Sequence, residues 1–91
     1  MGIFFEDRTF EFETIRSLGY GNHNGAELAE VKRITEKIPS GDFEKWYQEW
    51  KKMGDEVQKI ADLANNKNHN ISAMKAFLRA CNYYRTAEFF L

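Results

Sequence analysis

Three serines, two histidines and one cysteine are the side chains on which nucleophilic or metal chemistry could rest in this 91-residue chain. The serines stand in "IRSLG", "IPSGD" and "NISAM". None fits the Gly-x-Ser-x-Gly turn that exposes a hydrolase nucleophile between a strand and a helix, and Ser17 falls inside an expected helix. His23 and His69 sit in Asn-rich loops with no carboxylate or cysteine at a ligand spacing, so both are expected to be exposed loop residues. Cys81 lies on an apolar helical row without an adjacent cation and is expected to be a small buried core group. The acidic pairs Glu11 with Glu13 and Asp55 with Glu56 are expected on solvated surface. "LGYGNHNG" lacks the Lys-Ser/Thr of a phosphate cradle and follows no strand, so it reads as a helix-ending loop. Arg79, Arg85 and Glu88 are spaced to pair along one face of the last helix. No catalytic residue, metal ligand or cofactor site is assigned from these residues.

The elements that would position them are helical. Phe43, Trp46, Trp50, Met53, Val57, Ile60 and Ala64 alternate steps of three and four, which places one apolar stripe on a helix from about Phe43 to Asn66. Asp42 is its start signal and "NNKNHN" its stop, while Gly54 in its interior marks a close helix contact or a bend. A second helix is expected from a Ser72 N-cap, with Met74, Phe77, Cys81 and Tyr84 beside an alanine-rich row, Ala73, Ala76, Ala80, Tyr83 and Ala87. Its narrow polar strip is Lys75, Arg79, Asn82 and Thr86. The two helices predict an antiparallel hairpin joined by a short loop.

Upstream, Ala26 to Lys37 predicts a shorter amphipathic helix, with Leu28, Val31, Ile34 and Ile38 inward, Glu27, Glu30, Lys32, Arg33 and Glu36 outward, and Pro39 beyond its end. In the first segment Phe10 and Phe12 alternate with glutamates as a strand would, while Phe12, Ile15 and Leu18 step by three as a helix would; with no second strand to pair, a helix from about Arg8 to Leu18 is expected, with Gly19 and Gly21 as stops. The fold class is therefore all-α, a single domain over residues 1–91 of about four helices with the long hairpin as its core.

Charge is near neutral, and acids and bases are mixed along the chain, which argues against nucleic acid as a partner. A single cysteine, no basic leader and no apolar run of about 20 residues predict a soluble, cytoplasmic chain without membrane contact. Eight Phe, four Tyr and two Trp are many for so small a core, so some are expected to meet another surface.

Three stretches, "FEFETIRSLGYGNHNGAELAEV", "SGDFEKWYQEW" and "NISAMKAFLRACNYYRTAEFFL", resemble the helical N-terminal region of a group of α/β-hydrolases. The group includes the 2,6-dihydropseudooxynicotine hydrolases and relatives of the fermentation-respiration switch protein. The specific elements are Trp46, Tyr47, Glu49 and Trp50, then Ser72, Ala73, Arg79, Ala80, Asn82, Tyr83, Tyr84, Arg85, Ala87, Phe89, Phe90 and Leu91. The resemblance implies a cap or lid that packs over a catalytic α/β core carrying a Ser-Asp/Glu-His triad, with this chain as a triad-less segment, inactive alone. It also implies that the chain after "EFFL" continues toward that core.

On this reading the partner is the hydrolase core. Tyr47, Trp50, Tyr83, Tyr84, Arg85, Phe89 and Phe90 are the candidates to face substrate or an interface. Without the core, Phe89, Phe90 and Leu91 beside Tyr83 and Tyr84 predict self-association into a homo-oligomer. The alternative is an independent helical module that binds a partner helix or peptide.

Overall fold

The computed structural model describes residues 2–19 and 26–91. Gly21, His23 and residues 20–25 of the "LGYGNHNG" loop, on which three of the expectations fall, lie outside the described residues. Four helices follow in order: α1 (Arg8–Gly19), α2 (Leu28–Thr35), α3 (Phe43–Asn66) and α4 (Asn70–Ala87), and no strand occurs among the described residues. The all-α class and the long hairpin agree with the expectation.

Local chemistry accounts for the helix ends. The Asp7 carboxylate accepts from the Phe10 N–H at 2.9 Å and opens α1; Asp42 accepts from the Lys45 N–H at 2.9 Å and opens α3. Ahead of α1, Glu11 accepts the backbone N–H groups of Ile3, Phe4 and Phe5 at 2.8 to 3.0 Å, folding the N-terminal strand of chain back onto the helix. Burial raises its pKa, but these three donors outweigh burial and hold the carboxyl below its ordinary value. After α3 the chain reverses through Asn68 at φ 60°, a left-handed conformation that Asn tolerates, and the His69 N–H returns to the Ala64 carbonyl at 2.8 Å. The α4 cap therefore lies three residues earlier than expected: His69, and not Ser72, occupies the cap position, without a side-chain cap bond.

α3 and α4 pack antiparallel, the start of one against the end of the other. The Trp46 indole N–H donates to the Thr86 carbonyl at 2.8 Å, and the Tyr84 hydroxyl donates to Asp55 at 2.7 Å. A Cβ at Gly54 would stand 2.7 Å from the Tyr84 ring, so glycine is what lets that ring lie flat on α3. Toward the loop, Ala61, Ala73, Ala76 and Ala80 are buried and keep the two backbones close. At the open end of the hairpin an aromatic cluster forms the thickest part of the core. Phe10 stands 4.7 Å from Trp46, 5.3 Å from Phe5 and 5.3 Å from Phe90 between ring centroids. α1 packs against α4, and α2 against α3, so both short helices lie against the hairpin.

Several faces differ from the expected ones. Phe12 is 64% exposed and Ile15 is also exposed, while α1 buries Phe10, Glu13, Thr14 and Ser17. The reason is α4, whose polar strip turns inward: Asn82 and Thr86 are buried against Ser17. On α2, Leu28 is 63% exposed and Glu30 is buried, the reverse of the expected pattern, because Glu30 meets Arg79 and Tyr83. Glu13 is likewise buried and not on solvated surface. Cys81 is exposed, since the row of Met74, Phe77 and Cys81 lines open grooves beside Asn65 and Gln58 of α3 that no other helix covers. Past Val57 the α3 stripe runs through Ala61, and Ile60 is exposed.

Candidate functional site

The expected site residues separate into enclosed and open groups. Trp50 and Tyr83 have no exposed surface; both belong to the core, 5.9 Å apart between ring centroids. Among the described residues the Trp50 indole N–H has no hydrogen-bond partner, and a buried donor left so costs about 1–3 kcal/mol. Phe90 is half-buried and stacks on Phe43 at 5.0 Å, Trp46 at 5.2 Å and Phe10 at 5.3 Å, so it closes the end of the core. Tyr47 and Tyr84 are half-buried at the core's margin, and Arg85 and Phe89 are exposed.

Tyr83 is held by a charged cluster that links α2 to α4. Its hydroxyl donates to Glu30 Oε1 at 2.6 Å and accepts the Glu27 N–H at 3.0 Å. Arg79 Nε donates to Glu30 Oε1 at 3.0 Å, and its guanidinium lies 3.9 Å from Glu27. Burial, followed by the Glu30 carboxylate, pushes the Tyr83 pKa upward. Arg79 thus pairs across to α2 and not along its own helix with Arg85 and Glu88. On the other side of the hairpin, burial first and Asp55 second push Tyr84 up to about 12, while the Tyr84 hydroxyl draws the Asp55 pKa down.

α1 and α4 enclose a small polar crevice of about 50 Å³, lined by Glu13, Arg16, Ser17, Asn82, Arg85, Thr86 and Phe89. Asn82 Nδ2 donates to the Ser17 carbonyl and to Ser17 Oγ, both at 3.1 Å, and Thr86 Oγ1 donates to the Asn82 carbonyl at 2.8 Å. Ser17 is thus buried in a hydrogen-bonded network with Asn82 and Thr86. Glu13 meets Arg16 at 3.6 Å. Arg85 makes no ion pair among the described residues and also lines a shallow outer groove with Gln58, Phe77, Cys81, Tyr84 and Glu88. The structure therefore brings Arg85 together with Phe89 on one side and with Tyr84 on the other, and separates all three from Trp50 and Tyr83.

Glu13, Ser17 and Glu30 were not singled out from sequence as interior polar groups. A signal existed in the four-residue spacing of Glu13 with Ser17 and of Asn82 with Thr86, two polar pairs on helices that otherwise have enough apolar surface to bury. Among the described residues no group of three or more His, Cys, Asp or Glu side chains could hold a metal ion, and no helix is long and apolar enough to cross a membrane.

Over 80 residues, 88% of its length, the chain is 38% identical to the alpha/beta hydrolase xenA of Xenoacremonium sinensis. Nearly the whole chain is similar to one segment of α/β-hydrolases. It is also 35% identical over 88 residues to the hydrolase acrC of Aspergillus aculeatus, and 36% identical over 87 residues to the 20-hydroxy-prefusarin hydrolase FUS2 of Gibberella moniliformis. These matches cover 97% and 96% of this chain. The chain spans about a fifth of the length of these relatives: 19%, 21% and 21%. No protein-family model matches the chain, and no solved structure matches it.

Proposed function

We propose that this chain is an N-terminal helical cap or lid segment of a serine-type α/β-hydrolase, inactive alone. The carrying observation is the similarity of nearly all of its residues to about a fifth of each hydrolase relative. In support, no serine here stands in a nucleophile turn, and Ser17 is committed to a buried network. The side chains left open to meet a catalytic body or its substrate are Tyr47, Tyr84, Arg85 and Phe89. Trp50, Tyr83 and Phe90 act through the core, by holding those four in place.

Two measurements test the reading. The purified chain should turn over activated esters no faster than buffer; turnover that survives repurification and is abolished by Ser17→Ala, Ser40→Ala or Ser72→Ala overturns it. The coding sequence beyond the Leu91 codon should read into a Gly-x-Ser-x-Gly segment. A stop codon there with no hydrolase downstream favours the alternative, an independent helical interaction module, for which the exposed apolar face of α4 is the supporting observation.

A further inference from the structure

The α3–α4 hairpin is covered unevenly. Arg79, Asn82 and Thr86 turn toward α1 and α2, whereas α4 presents Ile71, Met74, Phe77 and Leu78 at 69, 56, 38 and 44% exposure, with Cys81 exposed among them. Two shallow grooves of about 440 and 400 Å³ share Phe77 and Cys81 and run from Asn70 to Glu88, nearly all of α4. At 1.5 Å per residue an 18-residue helix is ~27 Å long, so the grooved surface has the length of a helix and not of a small ligand. An exposed apolar surface running the length of a helix marks an interaction site.

Ile71, Met74, Leu78, Cys81, Arg85 and Glu88 alternate steps of three and four, the spacing of a coiled-coil seam. The occupant such a seam fits is a helix carrying the same seam. We infer that α4 of a second copy of this chain lies antiparallel on this face, with the two-fold axis between Leu78 and Cys81′, where the prime marks the second copy. Charge selects the direction. A parallel pair would set Arg85 against Arg85′ and Glu88 against Glu88′, whereas the antiparallel pair sets Arg85′ over Met74 and Glu88′ over Ile71.

The antiparallel register also gives Arg85′ an acid. Gly54 lies opposite Tyr84, so Asp62, eight residues further along α3, is level with Ala76 on α4. Ala76 is level with Tyr83′, leaving Arg85′ two residues, about 3 Å, along the axis from Asp62. That offset is within the reach of a guanidinium, and the two-fold makes the pair twice. Both residues are exposed, and neither belongs to the core.

This inference does not rest on the hydrolase reading. Sedimentation equilibrium of the 91-residue chain should show a reversible dimer with a dissociation constant of about 1–100 μM, the range of a modest interface with polar ends to its seam. Arg85→Glu should raise that constant at least tenfold, and Arg85→Glu with Asp62→Arg should restore most of the loss, with circular dichroism unchanged in all three proteins. Leu78→Glu should leave a monomer of native helicity. A monomer throughout the accessible concentration range overturns the inference, as does a dimer indifferent to Leu78→Glu and Arg85→Glu. A longer chain, carrying whatever follows Leu91, that stays monomeric overturns it as well and assigns the face to that following part.

Discussion

Gly54 and Tyr84 show how one side chain sets the distance between two helices. A methyl group at position 54 would stand 2.7 and 2.8 Å from two Tyr84 ring carbons, closer than Cβ contacts come, so the ring or α3 must move. Alanine would return up to about 1 kcal/mol of helix propensity, but overpacking costs about 1–3 kcal/mol, and displacing the ring also strains the 2.7 Å bond to Asp55. Gly54→Ala is therefore expected to destabilise by about 1–2 kcal/mol net, read as a lower urea midpoint at unchanged slope. The interior glycine was legible in the sequence as either a close contact or a bend, and the structure shows the contact; the partner was not legible, because Tyr84 lies thirty residues away on another helix. Cys81 shows the reverse case: its apolar neighbours suggested burial, yet it is exposed together with Met74 and Phe77.

At the scale of elements, helix boundaries follow from local signals and helix faces do not. α3 runs from Phe43 to Asn66 as its stripe, its Asp42 cap and its Asn-rich stop predict, since each of those acts within a few residues. α2 and α1 each bury polar groups that a periodicity reading places outside, because their partners arrive from α4. Glu30 is tolerable inside only because Tyr83 and Arg79 satisfy it. Tyr83→Phe removes one donor to Glu30 and the acceptor for the Glu27 N–H while keeping the ring in place. Leaving a buried polar group short of a partner costs about 1–3 kcal/mol. That loss should appear in urea unfolding, with amide exchange in α2 accelerated more than in α3, where hydrophobic contacts are untouched.

For the molecule as a whole, the core is thick at the aromatic end and thin toward the α3–α4 loop, and Tyr83 stands inside it fully enclosed. Its pKa is raised by burial and by Glu30, and that of Tyr84 to about 12 by burial and Asp55. A raised folded-state value means that the tyrosines contribute their stability in full below the unfolded value of ~10 and lose it as pH rises beyond it. Tyr83 and Tyr84 should ionise only above the ordinary tyrosine value. Their absorbance change near 295 nm should coincide with loss of the helical circular dichroism signal. Ionisation of Tyr83 at the ordinary tyrosine pH with the helices intact would contradict its enclosed position.

The sequence by itself determined the all-helical class, the antiparallel hairpin, the bounds of α3 and the lack of any nucleophile turn, because these rest on periodicity, capping and short-range spacing. It also carried the likeness to α/β-hydrolases, which resides in an ordered set of residue types. Only the tertiary structure decided which faces are buried. An apolar row becomes core or surface according to where the neighbouring helices dock, and α4 has two such rows. Docking followed the polar strip, since Asn82 and Thr86 found Ser17, and Arg79 found Glu30, and each buried partner satisfied the other. Those matches join residues 49 to 69 positions apart, a separation at which no local pattern can announce the contact.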